Sequence, residues 1–203
     1  MKPAFCFFAK KFLKPVLSPH IEEIKGLENI PKDTNFVLAV NHQSNLDHFF
    51  VPFPVEGSLE KVHFIGKRDN ILEFLVASFF YWAAETIPVN RKAKDKRKVL
   101  EKAVESLKKG GIIIIYPEGT RNKKKEILGG KTGAAEMAIR SGVPIVPMAL
   151  IYKNKEPRRF PLRINVGKPL YFKQELDYES LREATDRLMK EIYFLSGENS
   201  SNQ

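Results

Sequence analysis

The segment Asn41-His42-Gln43-Ser44-Asn45-Leu46-Asp47 pairs an imidazole with a carboxylate five positions on. On one continuous helix those positions lie about 140° apart, so the two side chains would not share a face. The spacing works if His42 occupies the turn leaving a strand and Asp47 the first turn of the next helix. There the carboxylate reaches back to the ring, holds one nitrogen as a donor and leaves the other as a base. The same residues permit a purely structural reading, because Ser44-x-x-Asp47 is also a capping box that starts a helix. From this segment alone both readings stand.

Three further places could hold an anion. Tyr116-Pro117-Glu118-Gly119-Thr120-Arg121 comes directly after four consecutive isoleucines. In an open α/β sheet the crevice beyond the carboxyl ends of the strands is where ligands bind. Gly119 would let the backbone approach a ligand, and Arg121 offers a planar fork for phosphate oxygens. The alternative is a surface turn leading into the solvated Lys123, Lys124 and Lys125. Arg91, just past Ile87-Pro88-Val89, and Lys67, after Gly66, each close another strand-like run. Each cation alone is an ordinary surface residue; their convergence on strand ends is the signal.

Other chemistries find little to work with. There is no Gly-x-Ser-x-Gly elbow, and Cys6 is far from His42 in sequence, so no covalent nucleophile is visible. Gly130-Lys131-Thr132 resembles the end of a phosphate-binding loop, but Lys125 stands where the pattern needs glycine. His20, His48 and His63 are scattered without carboxylates or cysteines at ligand spacing, which predicts no metal.

The elements that must position these residues alternate. Apolar strands are expected at 36–40, 61–65, 86–89, 112–115, 143–151 and 162–166. Helices are expected at 46–53, 70–84, 93–109, 132–140 and 178–194. Val99, Leu100, Ala103, Val104 and Leu107 form one apolar face, and Gly110-Gly111 stops that helix. The β-branched run Ile112–Ile115 reads as a central strand buried on both faces, which favours a parallel sheet covered by helices. The fold class is therefore α/β: one domain, a mostly parallel sheet flanked by helices.

At 203 residues the chain fits one domain, divided as an N-terminal interfacial segment 1–25, a body 26–196 and a frayed tail 197–203. A single cysteine excludes an intramolecular disulfide and any multi-cysteine cluster. The balance of 34 basic to 24 acidic residues, net +10, predicts an anionic partner: nucleic acid, a phospholipid surface or a phosphorylated substrate. Nine basic residues from Arg91 to Lys109 motivate the nucleic-acid reading. Acids interleave with them on a solvated helix face, and no stacking or zinc-finger pattern accompanies them, so a nucleic-acid-binding module stays only as a remote alternative.

No run reaches the ~18 apolar residues that span a bilayer, and lysines with Pro15 interrupt any signal-peptide core. The first twenty residues hold four lysines, four phenylalanines and no acid. As a helix, residues 3–14 put Phe5, Phe8, Ala9, Phe12 and Leu13 on one side and Lys10, Lys11 and Lys14 on the other, with Phe7 among the lysines. That is the pattern of an amphipathic membrane-surface helix. The aromatic-rich helix 71–82 is a second candidate, and core packing is the alternative for both. The expectation is a peripheral protein on the cytoplasmic face of an anionic membrane.

Taken together and in order, Asn41-His42 with Asp47, Ile87 to Arg91, Glu118-Gly119-Thr120-Arg121 and Val143-Pro144-Ile145-Val146-Pro147 resemble the four blocks of the glycerophospholipid acyltransferases. The likeness is above all to the lysophosphatidate acyltransferases, over roughly residues 40–148. The resemblance implies acyl transfer from a thioester of coenzyme A or acyl carrier protein to a lysophosphatidate hydroxyl, giving phosphatidate, with no cofactor; another lysophospholipid or glycerol 3-phosphate is the alternative acceptor. It also implies His42 as general base, Asp47 as its orienting partner, and Lys67, Arg91 and Arg121 as phosphate-binding candidates. Glu118 and Gly119 would line the acceptor pocket, with Thr120 in the same substrate-binding loop. The chemistry agrees: a thioester is already activated, so its transfer needs a base and oxyanion stabilisation but no covalent enzyme intermediate.

Overall fold

The computed structural model describes residues 2–67, 86–89, 97–122, 128–153, 160–173 and 175–197. Its centre is a seven-stranded sheet of β1 (Ile21–Lys25), β2 (Val37–Val40), β3 (Val62–Lys67), β4 (Ile87–Val89), β5 (Ile112–Ile115), β6 (Ile145–Tyr152) and β7 (Leu162–Val166). The spatial order is β1-β7-β6-β2-β5-β3-β4. From β6 to β4 every pairing is parallel; β7 runs antiparallel to β6, and β1 is parallel to β7. The mostly parallel sheet has its origin in composition. All four residues of β2 are buried, as are three of the four isoleucines of β5, because helices cover both faces.

Alternate residues of each strand feed two apolar layers. Leu38, Val40, Ile112, Ile114 and Met148 pack with Phe50, Val51 and Val55 on one face. Val37, Ala39, Ile113 and Ile145 pack on the other against Leu107, Met137, Leu188 and Ile192. The first face carries the short helix α3 (Asp47–Phe50) and the 3₁₀ segment Phe53–Lys61. The second carries α4 (Arg97–Lys108), α5 (Gly133–Ser141) and α6 (Tyr178–Ser196). Helix α6 starts where the Asp177 carboxylate accepts the Ser180 N–H at 2.9 Å, and it ends at Gly197 in the left-handed region.

Strand β1 is absent from the sequence expectations, which place residues 21–25 in the N-terminal segment. Its pattern, Ile-Glu-Glu-Ile-Lys, lacks clean alternation and is partly exposed throughout, and only pairing with β7 fixes it. Gly26 then turns the chain at φ +77°, where a Cβ would stand 2.0 Å from the Val166 carbonyl oxygen. The expected helix 70–84 and the tail from 198 lie outside the described residues.

The N-terminal segment is helical but not one regular helix. It consists of α1 (Lys2–Phe8), a π turn Ala9–Leu13, α2 (Lys14–Leu17) and a 3₁₀ turn Ser18–His20. The π turn adds a residue to the repeat and rotates α2 about the helix axis relative to α1. The face division therefore differs from the expected one. Cys6 is buried and Phe5 and Leu13 are half-buried toward the body, while Phe7, Phe8, Phe12 and Val16 are exposed together with Lys10, Lys11 and Lys14. Phe7 is thus not misplaced: it belongs to the outer face, where the Lys11 ammonium lies 5.5 Å from its ring centre and 5.7 Å from that of Phe12. Among the described residues no helix is long and apolar enough to cross a membrane.

Candidate active site

Because β2, β5, β3, β4 and β6 are parallel, their carboxyl ends open on one edge, and the loops after β2 and β5 meet there. Three contacts fix the first loop. Buried Asn41 donates to the Leu150 carbonyl at 3.0 Å and accepts the Leu150 N–H at 2.8 Å, locking the end of β2 onto β6. The His42 N–H points to Glu118 Oε1 at 3.4 Å, and the His42 carbonyl accepts the Asn122 N–H at 2.6 Å. Glu118 is itself buried, so a carboxylate from the second loop serves as a backbone brace for the first.

His42 and Asp47 meet as the turn-and-helix placement requires. His42 Nδ1 lies 2.9 Å from Asp47 Oδ2, and since an ionised carboxylate only accepts, Nδ1 carries the proton and Nε2 is left with its lone pair. Asp47 is 0% exposed, yet well supplied with donors. Oδ2 also accepts the N–H groups of Gln43 and Ser44, each at 2.8 Å, and Oδ1 accepts the Tyr152 hydroxyl at 2.6 Å. The capping reading is half right: Asp47 takes the Ser44 N–H as a capping box would, while Ser44 Oγ accepts from Leu46 N–H at 3.2 Å. One carboxylate ties down the turn that precedes α3 and orients the imidazole.

The His42 ring stacks on Tyr116 with centroids 4.1 Å apart and 20° between planes. The Tyr116 hydroxyl is 3.1 Å from Nδ1 of His48, whose ring stands edge-on to both His42 and Phe64 at 5.6 Å. Burial, then the neighbouring His42, lowers the His48 pKa to about 4; Asp47 opposes the shift and Arg121 adds to it. Burial, then the Asp47 charge, pushes the Tyr152 phenol well above the usual tyrosine range, so it remains a donor.

The other expected residues divide. Arg121 is exposed and donates to Asn45 Oδ1 at 2.7 Å, bridging the two loops through a neutral amide that leaves its charge for an anion. Gly119 takes φ +69°, and a Cβ there would stand 2.5 Å from Lys131 Nζ, so the Lys131 side chain lies across the loop. Thr120 is exposed beside it. Lys67 closes β3 and β4 ends at Val89, both on the same edge; Arg91 lies outside the described residues. Sequence reasoning passes over Tyr152, His48 and Lys131. The available signals are a tyrosine ending an apolar strand, a histidine directly after Asp47, and a lysine in an incomplete phosphate-loop pattern.

The acyltransferase family profile matches residues 22–151, which include both loops and most of β6. The chain belongs to that family. It is 31% identical over 176 residues to the chloroplastic 1-acyl-sn-glycerol-3-phosphate acyltransferase BAT2 of Brassica napus, covering 81% of this chain and 50% of that one. It is 32% identical over 145 residues to 1-acyl-sn-glycerol-3-phosphate acyltransferase alpha of Homo sapiens, covering 68% and 49%. The chain thus spans about half the length of these curated relatives. The crystal structure of the 1-acyl-sn-glycerophosphate acyltransferase PlsC from Thermotoga maritima aligns at a TM-score of 0.67 and 23% identity, over 99% of this chain and 82% of that one. That likeness concerns the fold.

His48 makes stability depend on pH. In the folded protein it stays neutral down to about pH 4, whereas in the unfolded chain it takes up a proton below about 6.5. The unfolded state then binds more protons, so stability is lost as pH falls through that window, by up to about 3 kcal/mol. Urea unfolding at pH 7 and pH 4.5 should show a smaller acid loss for His48→Gln than for the parent; equal losses would contradict the buried neutral imidazole.

Proposed function

We propose that this protein transfers a fatty acyl group from a thioester to the free hydroxyl of lysophosphatidate. The observation that carries the reading is the His42–Asp47 contact at the carboxyl edge of a parallel sheet, with its protonated nitrogen turned inward to a buried carboxylate. The acceptor hydroxyl attacks the thioester carbonyl while His42 Nε2 takes its proton. The tetrahedral intermediate collapses, the carbon–sulfur bond breaks, and the imidazolium returns the proton to the leaving thiolate. No acyl-enzyme is required, in keeping with the activated thioester and with the absence of a nucleophile motif from the sequence.

The acceptor's phosphate suits Arg121, with Lys67 and Arg91 as further candidates and Lys131 beside Gly119. Glu118 braces the His42 backbone, while Gly119 and Thr120 line the loop the acceptor would meet. Coenzyme A and acyl carrier protein both present the required thioester. The acceptor stays in a leaflet, so the enzyme has to reach it. The outer face of the N-terminal segment, with Phe7, Phe12 and Val16 63%, 51% and 66% exposed among lysines, fits an anionic membrane surface. Each lysine near such a leaflet contributes about 1 kcal/mol, so the aromatic residues must insert as well.

Four outcomes are expected. Thiol release from a long-chain acyl thioester should depend on added lysophosphatidate, and His42→Ala should lower turnover by about 10² to 10⁴ with its melting temperature unchanged. Equal thiol release without acceptor would make the protein a thioesterase. Arg121→Ala should raise the acceptor KM and leave the thioester KM unchanged, and Arg121→Lys should rescue only in part, since a bidentate fork is lost. Loss toward both substrates would mean damage to the loop. Replacing Phe7, Phe12 and Val16 together by Ser should abolish sedimentation with anionic liposomes while activity on a short-chain monomeric acceptor survives. These outward side chains are a cleaner target than deletion of the segment, which would uncover what Cys6 packs against. Unchanged sedimentation would put the membrane contact elsewhere.

A further inference from the structure

We propose that Tyr152 is a positioning residue: it is the last donor of a hydrogen-bond chain that enters the Asp47 carboxylate on the oxygen away from His42 and holds that carboxylate against the imidazole, and thereby sets how well His42 accepts a proton. The proposal rests on His42 being the base.

The direction of the chain is set by donor counting. The Leu46 N–H donates to Ser44 Oγ at 3.2 Å, so the Ser44 hydroxyl proton is available to the Tyr152 oxygen, with which it interacts. The phenol has a single proton, and it goes to Asp47 Oδ1 at 2.6 Å. Asp47 Oδ2 accepts the Nδ1–H of His42 at 2.9 Å, so the phenol and the imidazole converge on one carboxylate from its two oxygens. Bonds aligned head to tail polarise one another, most strongly where water is excluded; Tyr152 is 4% exposed and Ser44 7%.

The two carboxylate oxygens thus have different tasks. Oδ2 serves the local loop through His42, Gln43 and Ser44, whereas Oδ1 is held from 105 residues away by the last residue of β6. Without the Oδ1 anchor the carboxylate could pivot about its own axis and release Nδ1, although both backbone donors to Oδ2 would remain. The neighbouring strand residue Leu150 is clamped by both ends of the Asn41 amide, so the register of β2 on β6 is fixed close to His42 on one side and to Tyr152 on the other. The phenol is therefore carried on the same rigid frame as the imidazole. Tyr152 is buried and its hydroxyl is directed at Asp47, so the residue's effect on the reaction must pass through that carboxylate.

Tyr152→Phe removes one oxygen and keeps the ring. Turnover should fall about tenfold with both KM values unchanged, since only the proton-transfer step is disturbed. In an Asp47→Asn background the same substitution should cost less than about twofold, because the group it acts through is gone. Independently of any activity, the downfield Nδ1–H proton resonance of His42, assigned by its disappearance in His42→Ala, should move upfield or broaden in Tyr152→Phe. If the parent shows no acyl transfer but the resonance moves, the positioning stands and the functional reading fails. An unmoved resonance, or equal losses in both backgrounds, overturns the positioning role. Should the Phe variant not fold, 3,5-difluorotyrosine placed at 152 keeps the ring and hydroxyl and donates more strongly. By drawing charge from the carboxylate it should weaken the bond to His42 Nδ1–H and move the resonance upfield, and no shift would overturn the proposal.

Discussion

Everything at the strand-end edge is arranged around one buried charge, the Asp47 carboxylate. Removing such a group from water costs several kcal/mol unless it is paired and hydrogen-bonded. Here it accepts two backbone N–H groups, a phenol and an imidazole, all between 2.6 and 2.9 Å. Those donors dictate the local shape. The loop after β2 must curl so that Gln43 and Ser44 present their N–H groups, α3 must begin at Asp47, and β6 must end on a hydroxyl. An asparagine would fit the space but could not accept from all four in the same way, which is why a carboxylate stands there.

The sheet supplies the rest of the arrangement. Parallel strands bring the ends of β2, β5 and β6 to one edge, so residues as far apart as 42, 118 and 152 arrive together without a dedicated loop to carry them. The second loop then braces the first through Glu118, Asn122 and Arg121. Tyr116 gives the His42 ring a flat support, and His48 beside it stays neutral at physiological pH, so positive charge in this corner is supplied at its exposed rim, by Arg121. A cation at the rim and an imidazole within suit the proposed acceptor, which would enter with its phosphate outward and its hydroxyl inward.

Much of this is legible in the sequence where the signal is local. The isoleucine run, the amphipathic helices and their glycine stops, and the His42–Asp47 spacing each depend on neighbours a few positions away. The features that escape sequence reasoning depend on distant partners. Strand β1 exists through β7, some 140 residues on, and its own residues are partly exposed and unpatterned. Tyr152 closes an apolar strand and looks like any aromatic core residue until the sheet places it beside Asp47. The outer face of the N-terminal segment differs from expectation because a π turn breaks the 3.6-residue repeat on which any face assignment depends.

In the proposed reaction the buried carboxylate serves a base and not a nucleophile, and the acyl group passes directly from donor to acceptor. Intact-mass measurement of the protein mixed with excess acyl thioester, with no acceptor present and sampled within the first turnover, tests this most directly. An unmodified mass is expected at every time point, with product only after acceptor is added. A mass increment equal to one acyl group, lost again when lysophosphatidate is supplied, would contradict it.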